Sequence, residues 1–82
     1  MITGGQLRAA RSLLGWNQDA LAENSAVAVS TVRRMEASSG PVRGYSENVW
    51  KVQRALEAAG IEFIDENDSG GVGVRLKDRV PR

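Results

Sequence analysis

Asn17-Gln18-Asp19-Ala20-Leu21-Ala22-Glu23-Asn24-Ser25-Ala26-Val27-Ala28-Val29-Ser30-Thr31-Val32-Arg33-Arg34-Met35-Glu36 is the stretch on which the fold turns. Asn17 is placed to cap a helix, because its side-chain oxygen can accept from a first-turn amide; Asp19 follows where the helix dipole favours an anion. Trp16 and Leu21 stand at the positions of a hydrophobic staple. The spacing predicts helices over 18–25 and 29–36 joined by Ala26-Val27-Ala28 alone. So short a connector forces a steep crossing. Ala22 is small enough for close approach, and Leu21, Val27, Val32 and Met35 supply a shared apolar seam. The second helix keeps its opposite face free, with Val29, Ser30, Arg33 and Arg34 at helical spacings on it.

Upstream, Thr3 and Gln6 fit a capping box, with Ile2 and Leu7 as its staple. Leu7, Ala10 and Leu14 share one face and Gly15 is a natural stop, which predicts a helix over 4–14. Downstream, Ser46 reads as a cap, with Tyr45 and Trp50 as the staple around it. A helix over 47–59 follows, its inner face formed by Val49, Val52, Leu56 and Ala59, and Gly60 ends it. Beyond Gly60 the apolar period changes from 3.6 to about two. Ile61–Asp65 and Val72–Lys77 then read as strands around the turn cluster 66–71, that is, a hairpin.

Composition bounds the rest. Eighty-two residues make one domain, and a chain of this size buries only about 60–65% of the surface its unfolded form exposes. It contains no cysteine and no histidine, so disulfides and the usual zinc sites are excluded. No apolar run approaches the ~18–20 residues of a membrane span. The start Met-Ile-Thr-Gly-Gly-Gln lacks the charged and apolar regions of a signal peptide, and the expectation is a cytoplasmic protein. The net charge of +1 is segmented: residues 1–43 carry five Arg against three acids, 44–68 two bases against six acids, and 69–82 four bases against one acid. Charge alone points to no partner.

With Leu14-Gly15-Trp16-Asn17-Gln18 before it and Glu36 closing it, the segment 17–36 resembles the Xre family, the helix-turn-helix of phage repressors and Cro proteins. The resemblance covers residues 6–36 closely and the fourth helix loosely. It implies a mainly α fold: a four-helix, phage-repressor-like domain over 1–60. To this the chain adds a C-terminal β-hairpin or strand over 61–77 and a flexible tail over 78–82. In that family the second helix of the unit lies in the major groove with its N-terminal residues on base edges. Carried onto this chain, Val29, Ser30 and Arg34 become base-reading candidates, with Arg33 and Thr31 behind them. Arg34 suits guanine O6 and N7, Ser30 several base edges, and Val29 a thymine methyl. Gln18 and Asn17 at the second helix's start, and Arg43 in the later loop, become candidates for backbone phosphates. Arg11 and Glu36 occupy positions that pair in related repressors, and a partly buried salt bridge is expected there. The chain departs from the family at Ala26, where a turn glycine is common, and at Ala28, where a Ser or Thr cap is usual.

Trp16 is expected in the core, and Trp50 in the core or at a dimer contact. A lone hairpin is marginal and leaves an edge. Pairing with a second subunit through Ile61, Phe63 and Ile64 answers both problems and supplies a two-fold axis. The expected function is therefore that of a transcriptional regulator binding double-stranded DNA at a pseudo-palindromic operator as a homodimer. No cofactor is expected, and no enzyme either: there is no nucleophile–base pair and no phosphate loop. The alternative is a helix-turn-helix protein-interaction module, antitoxin-like or an anti-activator, with the acidic 57–68 segment in its favour. With no room for a ligand domain, control is expected through abundance or a regulatory protein partner.

Overall fold

Local signals place most element ends. The computed structural model describes residues 2–44 and 46–78. Four helices, α1 (Gly4–Leu14), α2 (Gln18–Ser25), α3 (Val29–Glu36) and α4 (Ser46–Ala58), precede the strands β1 (Ile61–Ile64) and β2 (Gly73–Leu76). The Thr3 hydroxyl accepts from the Gln6 amide at 3.1 Å and Gln6 Oε1 accepts from the Thr3 amide at 2.8 Å. This is the reciprocal cap read from the sequence. The same Gln6 donates through Nε2 to the carbonyls of Ile64 and Gly73, at 3.2 and 2.9 Å. One side chain thus closes the start of α1 and fastens the hairpin to it. Gly15 ends α1 in the left-handed region, and Asn17 Oδ1 caps α2 by accepting from the Ala20 amide at 2.8 Å.

The α2–α3 connector is three residues, as the spacing requires. Ala26 closes α2 at φ 59°, a left-handed conformation that a Cβ disfavours. Val27 N–H donates back to the Ala22 carbonyl. Ala28 stands at the cap of α3 with no side-chain bond to offer. α1 meets the far end of α3 at Gly4, where a Cβ would stand 2.9 Å from the Glu36 carbonyl oxygen and 3.0 Å from that of Met35, and closer still to that of Ser38. Only a glycine allows that approach.

The core gathers Ile2, Leu7, Ala10, Leu21, Ala22, Val32, Met35, Val42, Val52, Leu56 and Ile61. Trp16 packs against it half-buried. Trp50 does not: it is 61% exposed. The inward row of α4 is Val49, Val52 and Leu56, and Trp50 lies two residues from Val52, about 200° around the helix. α4 also starts at Ser46 itself, so Ser46 already has helical backbone and is not the cap expected of it. Ala59 lies past the helix end and is exposed. The staple expected at Tyr45, and residues 79–82 of the tail expected over 78–82, lie outside the described residues.

β1 and β2 pair antiparallel within the chain, Ile61 opposite Leu76 and Phe63 opposite Val74. Phe63, Val74 and Leu76 pack on the helical core around the buried Ile61. The opposite face carries Glu62 and Arg75, joined by bonds of 2.9 and 3.2 Å. Arg75 holds the Glu62 carboxyl below its ordinary range, and Glu62 in turn raises Arg75. Among the described residues no helix is long and apolar enough to cross a membrane.

Candidate nucleic-acid interface

The two sides of α3 differ in kind. Val32, Met35 and Glu36 are buried, while Ser30, Arg33 and Arg34 are exposed. Glu36 is 2% exposed, and its burial is made tolerable by its partners. Arg11 donates Nε to Oε2 at 2.6 Å and Nη2 to Oε1 at 2.9 Å, a two-point clamp. Gln18 Nε2 adds a third bond to Oε1 at 3.1 Å. Arg11 also reaches the Trp16 carbonyl, and Arg8 donates to the main-chain carbonyl of Glu36. Donating to the Glu36 carboxylate raises the Arg11 pKa above its ordinary value, against the opposing pull of burial. The salt bridge expected between Arg11 and Glu36 is present. It ties α1, the start of α2 and the end of α3 together.

That clamp also decides the charge of the outer face. The one carboxylate on α3 is committed inward, so it neutralises none of the helix's own arginines. Among the described residues Arg33 forms no ion pair with Glu36 or with the acids of α2. Arg34 is held only loosely, with Nη2 3.5 Å from the Thr31 hydroxyl. Val29, a base-reading candidate in sequence, is half-buried and leans on the core, so only part of its side chain faces outward.

A groove of about 630 Å³ opens beside Arg34. Thr31, Arg34, Ser38, Arg43, Gly44 and Asn48 line it. It therefore brings together Thr31 and Arg34 of α3 with Arg43 of the following loop. Ser38 and Asn48 join them without having been singled out in sequence. Asn48 left a faint signal, a polar residue in the first turn of α4; Ser38 left none, because an irregular loop has no period to read. Arg43 and Arg34 are both exposed, so the groove is cationic at its rim.

The remaining candidates sit apart from it. Asn17 uses its side-chain oxygen in capping α2, and Gln18 gives one amide hydrogen to Glu36. Ile61 is fully buried in the core of its own chain, Phe63 is half-buried beside it, and Ile64 lies on the other face of the hairpin. Among the described residues no cluster of acidic side chains is arranged to hold a metal ion. A comparison with known protein families and with curated proteins finds no match.

Proposed function

We propose that the protein is a sequence-specific DNA-binding transcriptional regulator of the Xre, phage-repressor type, with α3 as its reading helix in the major groove. One observation carries this reading. The exposed face of a helix held by a three-residue connector presents Ser30, Arg33 and Arg34 with no acid among them, beside a groove that Arg43 helps to line. Arginine on such a helix is suited to a bidentate bond with guanine, and Ser30 to several base edges. Arg43 and Asn48 fit phosphate contacts, which position the helix without reading sequence. Two copies on a two-fold axis would set their reading helices about 34–36 Å apart and require a pseudo-palindromic site.

Binding to the DNA upstream of its own gene, measured across a salt series, tests the proposal. Each phosphate contact contributes about −0.9 to the slope of log K against log salt. Arg34→Ala is expected to cost about 1–3 kcal/mol and to relax preference at one base position. Arg43→Ala is expected to weaken all sequences alike and to flatten the slope by about one contact. Binding that ignores salt and both substitutions overturns the reading.

A second reading has one observation in its favour. Trp50 is 61% exposed on α4, with the Arg54 guanidinium 5.6 Å over its ring. An exposed aromatic of that size suits a protein-interaction module. Retained partner binding with no DNA binding would select it.

A further inference from the structure

Among the described residues Trp50 is the most exposed of the large apolar side chains. It does not stand on a bare helix. Arg54, one turn on, holds its guanidinium over the ring. The ring also borders a groove of about 210 Å³ with Val42, Gly44, Ser46, Val49 and Gln53. A second groove, of about 280 Å³, is lined by Ile2, Gln53, Glu57, Phe63 and Asp65. Gln53 lines both, which makes them consecutive stretches of one channel along a flank of α4.

The two ends of the channel differ in chemistry. Val42, Val49 and Trp50 make the first end apolar, whereas Glu57 and Asp65 stand at the second. Residues 57–68 contain five acids and no Lys or Arg. Glu62 is neutralised by Arg75, but among the described residues Glu57 and Asp65 form no ion pair. The Glu57 carboxylate accepts from the uncharged Gln53 at 3.3 Å, and Lys77 reaches the main-chain carbonyl of Glu57 instead of its carboxylate.

We propose that this channel docks a segment of a second protein that carries an apolar side chain and a Lys or Arg about 10 Å apart, the rise of α4 from Trp50 to Glu57. That spacing is about three residues of extended chain or two turns of helix. The apolar side chain seats against Trp50 and Val49, and the cation meets Glu57 and Asp65. A tryptophan beside a pocket is the kind of residue that dominates binding energy, while exposed carboxylates set orientation and choice of partner. Asn48, which lines the groove beside Arg34, is two residues from Trp50 and about 200° around α4. A segment docked at Trp50 therefore leaves the outer face of α3 clear, so the chain can hold DNA and a regulatory partner together. The proposal rests on the interaction reading above and is independent of DNA binding.

Selection of random peptides displayed on phage against the full chain is the test. Enriched sequences are expected to combine an apolar residue with Lys or Arg, and a labelled peptide of their consensus gives the affinity by fluorescence anisotropy. Trp50→Ala is expected to weaken that peptide about tenfold or more. Glu57→Gln with Asp65→Asn is expected to weaken it about 2- to 5-fold, a difference that added salt erases. Both variants are expected to keep the circular dichroism and the salt-dependent DNA binding of the unaltered chain, since neither touches α3 or its groove. Enrichment that Trp50→Ala retains in full, or of acidic sequences that Arg34→Ala abolishes, overturns the docking surface and leaves the reading helix standing. So does a selection that enriches nothing. Self-association that Trp50→Ala abolishes in sedimentation equilibrium, with no peptide enriched, gives the channel to a second copy and overturns the proposal too. Peptide binding as expected in a chain that binds no DNA upholds the docking surface and removes the regulator reading.

Discussion

α1 and α3 enter the fold by opposite means. α1 opens on a complete reciprocal cap between Thr3 and Gln6 and closes on Gly15 in the left-handed region. α3 opens on Ala28, which offers no side-chain bond, and the turn before it contains a left-handed alanine. α1 is thus specified by its own residues. α3 is specified by what surrounds it: the buried row Val32 and Met35, the Arg11–Gln18–Glu36 cluster, and the close approach of Gly4 to its last carbonyls. A helix placed by its neighbours can leave its outer face and first turn free for a ligand, whereas a locally capped helix serves as the base on which it stands.

The largest effect is expected where that tertiary hold is cut. Glu36→Ala leaves Arg11 without its carboxylate and Gln18 without its acceptor. Breaking a buried pair from one side costs about 3–5 kcal/mol, and the residual exposure of Arg11 (21%) argues for the lower end. Urea denaturation should show a loss near 3 kcal/mol, most of it recovered when Arg11→Met and Glu36→Leu are combined, because the unpaired charge is then gone. A single-variant loss under about 1 kcal/mol would mean that α3 is held by apolar packing alone.

Next in size is a pair of adjacent glycines. Gly4→Ala drives a methyl into the carbonyl oxygens at the end of α3, and overpacking of this kind costs about 1–3 kcal/mol. At Gly5 the added carbon meets only Arg8 Nη2 and Thr3 Oγ1 at 3.7 and 3.8 Å. There the helix propensity of alanine should prevail and stabilise the chain by about 0.5–1 kcal/mol. Thermal melts of the two variants should move in opposite directions. Equal shifts would show that α1 can slide away from α3.

The sequence disclosed the contrast only in part. Thr3 with Gln6, Gly15, and Asn17 with its three-residue echo at Ala20 are local signals, legible because the interacting groups lie within one turn. The connector 26–28 was legible because its length alone constrains the crossing. The reach of Gln6 to Ile64 and Gly73 was not, since nothing near residue 6 indicates which strands will lie above it. Of the two places expected for Trp50, the core fails, because size suggests burial while the period of α4 turns it outward. In the groove, Thr31, Arg34 and Arg43 are legible in the sequence. Ser38 and Asn48 are not, since their place is fixed by how the 37–45 loop returns to α4.

The smallest effect sharpens the comparison from the other side, by giving α3 the local signals it lacks. Ala28 has the extended backbone of a cap residue, φ −66° and ψ 144°. A serine hydroxyl there can accept from the amide of Ser30, the Thr31 amide already donating to the Ala28 carbonyl at 3.0 Å, and a cap of this kind adds about 0.5–2 kcal/mol. Ala26→Gly relieves the left-handed alanine. Part of that gain is offset by the greater freedom of glycine in the unfolded chain, leaving about 0.5–1 kcal/mol. The sites are two residues apart, yet one acts on a turn dihedral and the other on a free amide, so their gains should nearly add. If both variants melt higher while Ala28→Ser alone weakens binding to DNA, the first turn of α3 is bare because its amides are needed at the interface. If Ala28→Ser raises stability and leaves binding unchanged, the missing cap has no functional cause, and the contrast between α1 and α3 is one of folding only.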